Sequence, residues 1–335
     1  MKLSIIIPCF NCESTIIETI YSIINSININ EYEIICINDA SIDHTPDLLR
    51  QIEMNFPNII KIFNQELNMG VSRARNCGLI NANGDWILFV DSDDRASLSN
   101  IEFILDSSNS SDFIIFNHLY LDLLPFNYGV NSGVLNKAGI NKLIKKFLSN
   151  PVGNSIITNC WAKIYQRSFL NQNAIRFDEN LSIYEDIKFV AECLMHASKL
   201  KLVPETIYTH YPSNGLGMSF EKFPIDFIPA LKILSKIITD EPNSNYLKSA
   251  YTAFIAKTLM LSSRIPPRRL HLFIKAIQIN GKMILSSDVK NDFLRIIFLL
   301  KLYKVKPLFY LLILHFNILQ RFFGLLRRNN FRRSK

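Results

Sequence analysis

Three carboxylates within four residues, Asp91-Ser92-Asp93-Asp94, repel one another unless they are solvated or bound to a cation. Their hard oxygen ligands suit Mg²⁺ or Mn²⁺. Such an ion would bridge the protein to a diphosphate and neutralise charge that develops on a leaving nucleotide. The same run would also serve as an acidic turn capping a helix that begins near Ser97. A second acidic pair, Glu185-Asp186, opens a helical stretch, where the positive end of the helix dipole favours ionised carboxylates. A carboxylate placed there suits a general base, although acids also simply begin helices.

These residues need a scaffold that brings distant segments together. Leu3–Ile7, Glu33–Ile37, Ile59–Phe63, Trp86–Val90 and Phe113–Phe116 are near-continuous apolar runs, as expected of strands buried on both faces. Helix signals lie between them: Glu13–Ser26, a stretch opened by Thr45-Pro46 with Thr45 as a cap, and Val71–Asn81 before Gly84. This alternation predicts an α/β domain with a mostly parallel sheet. Further helix is expected from Tyr184 to about Ala197, then a short strand pair near Lys201–Val203 and Thr206–Tyr211, whereas residues 130–175 carry no clear pattern. Ligands of such sheets bind beyond the carboxyl ends of the strands. That places Pro8-Cys9-Phe10-Asn11-Cys12-Glu13, Asn38-Asp39-Ala40-Ser41-Ile42-Asp43 and the acidic run in one crevice.

Ile5 to Asn11, Ile37 to Thr45, Asn68-Met69-Gly70-Val71-Ser72-Arg73-Ala74-Arg75-Asn76, and Gly84-Asp85-Trp86 through Asp94 together resemble the family 2 glycosyltransferases. The resemblance covers roughly residues 1–215. It implies a GT-A nucleotide-diphospho-sugar transferase fold with a Rossmann-like sheet. By position, Pro8, Phe10, Asn11 and Glu13 would line the nucleoside pocket and Asp39 would accept a hydrogen bond from the base. Arg73 would sit beside the nucleotide. Asp91 and Ser92 would contact the donor, and Asp93, with Asp91, would hold Mn²⁺ or Mg²⁺. Asn38 and Ala40 stand where the family commonly has Asp and Gly, which suggests a tuned pocket.

The stretch from Phe177 to Asp186 resembles the Glu-Asp element of many bacterial members. It implies Asp186 as the base that takes the acceptor hydroxyl proton, with Glu185 orienting the acceptor or exchanging roles with it. Cys160-Trp161-Ala162-Lys163-Ile164-Tyr165 resembles a Trp-x-Lys-Leu-Tyr element, with Trp161 as an acceptor-site residue. Tyr208-Thr209-His210-Tyr211 stands where relatives carry a Tyr-x-Tyr-Arg stretch that closes over the donor; here no Arg follows, and His210 is the substitute. Cys9-Phe10-Asn11-Cys12 has thioredoxin spacing but lies inside the sugar-transferase pattern, and Gly78…Gly84 lacks dinucleotide-fold spacing.

Of 335 residues, 37 are Lys or Arg and 29 Asp or Glu, a net charge of +8. The excess lies in residues 291–335, where ten basic residues face only Asp292, for +9; the remainder carries 27 basic against 28 acidic residues, for −1. The content of 48% hydrophobic residues rules out disorder, and six cysteines are too few for a disulfide scaffold. No cleavable signal peptide is expected, because Pro8 ends the first apolar run, and a reducing cytoplasm follows.

From about Ile225 only helical periodicity remains, in Asp226–Thr239, Tyr246–Ser263 and Arg268–Gln278. The expected organisation is a GT-A domain over 1–220, a helical extension over 221–290, and a basic amphipathic tail over 291–335. On a helical wheel Lys306, Asn317, Gln320, Arg321, Arg327 and Arg328 share one polar sector, and no run reaches the roughly 20 apolar residues of a bilayer span. Attachment to the inner face of the cytoplasmic membrane is the expectation, ahead of packing on the enzyme; nucleic acid fits poorly, because base-reading residues do not interleave with the charges.

The resemblance thus implies an inverting, metal-dependent transferase that moves a sugar from a UDP-linked or other nucleotide-diphospho-sugar to a glycan or lipid-linked acceptor in surface polysaccharide or lipopolysaccharide synthesis. The alternative is a non-catalytic nucleotide-sugar-binding scaffold at the membrane.

Overall fold

The computed structural model describes residues 2–108, 110–120, 132–149, 159–181 and 185–211. In chain order its elements are β1 (Leu3–Cys9), α1 (Ile16–Ile24), β2 (Tyr32–Asn38), α2 (Thr45–Asn55), β3 (Ile60–Asn64), α3 (Val71–Asn81), β4 (Trp86–Phe89) and β5 (Arg95–Ala96). There follow α4 (Ile101–Asp106), β6 (Phe113–Tyr120), β7 (Gly133–Asn136), α5 (Lys137–Ser149), β8 (Lys163–Gln166), α6 (Arg167–Gln172), α7 (Glu185–His196) and β9 (Lys199–His210).

The five apolar runs form β1, β2, β3, β4 and β6, and the helix expected over Val71–Asn81 is α3. Among the described residues the strands make one sheet in the order β3-β2-β1-β4-β8-β6-β9-β5, with β7 also paired to β9. Strands β3, β2, β1 and β4 run parallel. Beyond β4 the sheet is mixed: β8 is antiparallel to both neighbours, and β6 is parallel to β9. The fold is therefore α/β, with its parallel half next to the first strand. Chain order reverses on either side of β1, which opens a crevice at the carboxyl ends of β1, β2 and β4.

Helix α3 lies close against that parallel half. A Cβ on Gly78 would stand 2.3 Å from Ile6 Cγ2, and one on Gly84, just before β4, would stand 2.5 Å from the Ser4 backbone nitrogen. Glycine at both positions lets α3 and its exit turn seat directly on β1. At the opposite end from the crevice, the buried Glu33 accepts hydrogen bonds from Ser4 Oγ at 2.6 Å, Lys61 Nζ at 2.6 Å and the Asn83 amide at 2.7 Å. Burial works against its charge, yet these donors hold the Glu33 carboxyl below the usual range.

Two local expectations are corrected. The strand pair near Lys201–Val203 and Thr206–Tyr211 is one strand, β9, whose pairing with β6 jumps from Phe116↔Val203 to Asn117↔Thr206. Pro204 has no N–H to continue the ladder, so the chain bulges there and resumes without reversing. Thr45 is the first residue of α2 rather than its cap; its amide donates to Asp43 Oδ1 at 3.0 Å, and its hydroxyl accepts from the Cys12 amide at 2.9 Å. The boundary near 220, the helical extension and the basic tail lie outside the described residues.

Candidate active site

The loops after β1 and β2 are tied to each other. Asn11 donates its amide to Ser41 Oγ at 3.0 Å and accepts from the Ile42 amide at 3.0 Å through Oδ1. Glu13 donates its amide to Asp43 Oδ2 at 3.1 Å and takes the His44 amide at 2.8 Å with Oε2. Asn11 and Glu13 therefore shape this wall by joining the two loops. Pro8 is half-buried near the end of β1, and Phe10, just after it, is 42% exposed.

The departures at 38 and 40 have local explanations. Asn38 Oδ1 accepts from the Ser41 amide at 3.1 Å, while its Nδ2 donates to Asn64 at 2.9 Å, a bond that a carboxylate could not make. Ala40 has φ +57°, a left-handed conformation that favours glycine. Asp39 is buried, and its two oxygens take the amides of Met69 and Gly70 at 2.8 Å each. Its carboxylate thus fixes the turn that starts α3.

The acidic run after β4 divides its work. Asp94 is fully buried; it accepts from Tyr208 Oη at 2.6 Å and the Tyr211 amide at 2.8 Å, and pairs with His210 Nδ1 at 3.0 Å. The 208–211 stretch therefore anchors the acidic turn, and His210 faces Asp94. Ser92 contributes its carbonyl to Thr19 Oγ1 at 2.9 Å. Asp91 pairs through Oδ1 with Arg75 Nη2 at 2.9 Å.

Asp93 has no Lys or Arg partner among the described residues. Burial, then the Asp94 and Asp91 charges, push its carboxyl up to about 6. A divalent cation would relieve that repulsion, so the donor chemistry of Asp93 fits Mn²⁺ or Mg²⁺. Among the described residues no three His, Cys, Asp or Glu side chains gather into a metal-ligand set.

Arg75 is the centre of the arrangement. Only 3% exposed, it reaches Asp91 with Nη2, and Asp186 Oδ1 at 2.6 Å and Glu185 Oε1 at 3.2 Å with Nη1. Burial disfavours its charge, but the facing Asp186, Asp91 and Glu185 carboxylates hold it firmly protonated. One guanidinium thus joins the turn after β4 to the start of α7, and its partner Glu185 lies 110 residues from Arg75 in sequence.

Arg73, which the resemblance places beside the nucleotide, is a different side chain on the same helix, and helix phase separates the two. Residues two apart point to opposite sides of a helix. Arg75, Gly78 and Leu79 share the buried side, whereas Arg73 is exposed and pairs with Glu179 at 3.3 Å. The i, i+3, i+4 spacing of Arg75 with Gly78 and Leu79 was the signal that distinguishes the two arginines.

Asp186 is held at both oxygens, by Arg75 and by the Cys160 amide at 3.3 Å to Oδ2. Burial raises its carboxyl, opposed by Arg75 and by the Cys160 N–H. Burial, then the charge of Asp186, push Glu185 up to about 7. Burial and the neighbouring charge thus favour the protonated form of Glu185, and the donors on Asp186 favour Asp186 as the ionised member of the pair.

Trp161, which the resemblance names as an acceptor-site residue, is covered among the described residues. It is 5% exposed and stacks on Tyr208, ring centroids 4.5 Å apart and planes 5° apart. Covered in this way, it supports the tyrosine that holds Asp94 instead of offering a face to a sugar. Cys9 and Cys12 are buried free thiols.

The arrangement matches known proteins. Residues 4–166 match the family model "Glycosyl transferase family 2". A cholesterol galactosyltransferase of Borreliella burgdorferi is 30% identical over 226 residues, 64% of this chain and 61% of that protein. The minor teichoic acid biosynthesis protein GgaB of Bacillus subtilis is 32% identical over 223 residues, 64% of this chain and 23% of that protein. The chain thus spans less than two thirds of either relative. The fold is that of the crystal structure of S. aureus TarS 1-349 in complex with UDP-GlcNAc, with a TM-score of 0.69 at 20% identity over 92% of this chain and 88% of that one. Residues 4–166, which carry Asp39, Arg75 and the acidic turn, form a domain of glycosyl transferase family 2.

Proposed function

We propose that this chain is an inverting, metal-dependent glycosyltransferase that moves a sugar from a UDP-linked donor to a glycan or lipid-linked acceptor in cell-surface polysaccharide synthesis. The observation that carries the proposal is the Arg75 fork, which sets the donor-side Asp91 and the acidic pair Glu185–Asp186 on one buried cation. A transfer that inverts the anomeric carbon needs this pairing: a donor held by its diphosphate, and a base on the far side of the sugar.

In this reading Phe10 lies under the nucleoside base, and Asn11, Glu13 and Asp39 keep the pocket walls in place. Asp93, with Asp91, would hold Mn²⁺ or Mg²⁺, which would supply neutralisation of leaving-group charge. Asp186 accepts the acceptor hydroxyl proton. The matches to a galactosyltransferase, to a teichoic acid biosynthesis protein and to TarS with UDP-GlcNAc support UDP as the nucleotide and a cell-envelope acceptor.

The test is a panel of nucleotide sugars, each with and without Mn²⁺, scored by thermal shift and by release of the nucleotide. A UDP-sugar is expected to raise the melting temperature only with the cation and to be turned over. Binding without turnover of any donor, with envelope glycans supplied as acceptors, would favour the non-catalytic scaffold.

We further propose that residues 291–335 hold the enzyme on the anionic inner face of the cytoplasmic membrane, supported by their charge of +9. No helix among the described residues is long and apolar enough to cross a membrane. In liposome flotation the full chain is expected to float with anionic vesicles and residues 1–290 to stay in the dense fraction. Equal flotation of both would remove the tail from that role.

A further inference from the structure

Lys163 is a buried cation without a role in the reaction described above. It opens β8, is 1% exposed, and donates from Nζ to the Asn159 carbonyl at 2.7 Å and to the Trp161 carbonyl at 3.5 Å. Two residues along the strand, Tyr165 Oη donates to the Cys160 carbonyl at 3.0 Å. Three successive carbonyls, 159 to 161, are therefore gripped by side chains of β8. The turn also carries Ala162 at φ +54° and is pinned to β6 by the Phe116 amide, which donates to the Ala162 carbonyl at 3.1 Å.

A trans peptide plane points its C=O and its N–H in opposite directions. The plane between residues 159 and 160 has its oxygen on Lys163 Nζ and its N–H on Asp186 Oδ2, at 3.3 Å. A positive charge at the oxygen end fixes the orientation of that plane and strengthens the N–H as a donor. Asp186 is thus gripped on one oxygen by Arg75 directly and on the other by a peptide that Lys163 holds.

We propose that Lys163 is a positioning residue for Asp186, acting through the Asn159–Cys160 peptide to fix the direction of the base and to favour its ionised form. The proposal rests on the reading of Asp186 as the base of glycosyl transfer. Burial draws the Lys163 ammonium down to about 8, opposed by Cys160, Asp186 and Cys193, and His118 of β6 faces it as well.

The experiment uses the full chain labelled with ¹⁵N-cysteine, which gives six amide signals. Asp186→Ala supplies the position of the Cys160 signal without its acceptor. Lys163→Met is expected to move the Cys160 signal toward that position, and to lower kcat about tenfold or more with the donor KM within about twofold. Lys163→Arg, which keeps the charge, is expected to return both toward wild type. A Cys160 signal unmoved in Lys163→Met, or a loss expressed in donor KM alone, would overturn the positioning role. Collapse of the dispersed signals in both variants would assign Lys163 to folding alone and overturn it equally. The amide signals are read without donor. A wild type that turns over no sugar while the signal moves therefore refutes the transfer reading and leaves the peptide linkage standing.

Discussion

Arg75→Met is expected to remove transfer activity and to destabilise the protein by about 3–5 kcal/mol at neutral pH, the range found when one partner of a buried ion pair is deleted. Methionine fills similar space, so the loss is electrostatic: Asp91, Glu185 and Asp186 stay partly buried with their cation gone. The sign of the pH dependence follows. Without Arg75 the Glu185 and Asp186 carboxyls, already raised by burial, are pushed further up and protonate more readily in the folded state. The penalty is therefore largest above neutrality and shrinks toward pH 5, where the acids become neutral. Urea unfolding of both proteins at pH 7.5 and pH 5 measures this, and a pH-independent difference would contradict it. Arg75→Lys is expected to rescue stability in part but not turnover, because a single ammonium cannot reproduce a fork that spans two elements.

Asp93→Asn is expected to work in the opposite sense on stability while also abolishing metal-dependent donor binding. With its carboxyl raised to about 6 by burial and by Asp94 and Asp91, Asp93 in the folded state binds its proton more tightly than in the unfolded chain. Stability from this group is thus fully present below its ordinary value near 3.8 and declines as pH rises toward 6. An amide at 93 avoids that decline. The variant should therefore melt higher than wild type at pH 8 without metal, with the advantage gone by pH 4. Mn²⁺ with a UDP-sugar should raise the melting temperature of wild type and leave the variant unmoved. A variant less stable than wild type at pH 8, or still stabilised by Mn²⁺ and donor, would remove Asp93 from the metal role. A residue that strains the empty protein and serves only with ligand present follows the general trade between stability and function.

Much of the parallel half was legible because strands buried on two faces are continuous apolar runs, and because residues directly after such strands must line the crevice. The positions of Asp39, Asp91 and Asp93 follow from that rule alone. Their individual duties do not, since Asp94, the fully buried member of the acidic run, is distinguished from Asp93 only by Tyr208, His210 and Tyr211 arriving from 114 or more residues away. Helix phase is what separates Arg73 from Arg75. The motif contains both, and the packing of Gly78 against Ile6 decides which of them points into the sheet. Trp161 shows the reverse problem: its type suits a sugar platform, but the stacking of Tyr208 on it is a tertiary fact. Strands β7 and β8 and helix α6, of four to six residues each, are too short for either period to emerge from the sequence, which leaves residues 130–175 without a clear pattern even though the 13-residue α5 lies within them.

The central claim is that the Arg75 cluster is where a bound nucleotide sugar meets its base. The most direct measurement is release of UDP from a UDP-sugar, with Mn²⁺ and acceptor, by wild type and by Asp186→Asn, alongside donor affinity for both. The arrangement predicts equal donor affinity within about twofold and a turnover lower by at least about 100-fold in the variant, the scale of general-base loss. Equal turnover by both proteins would contradict it.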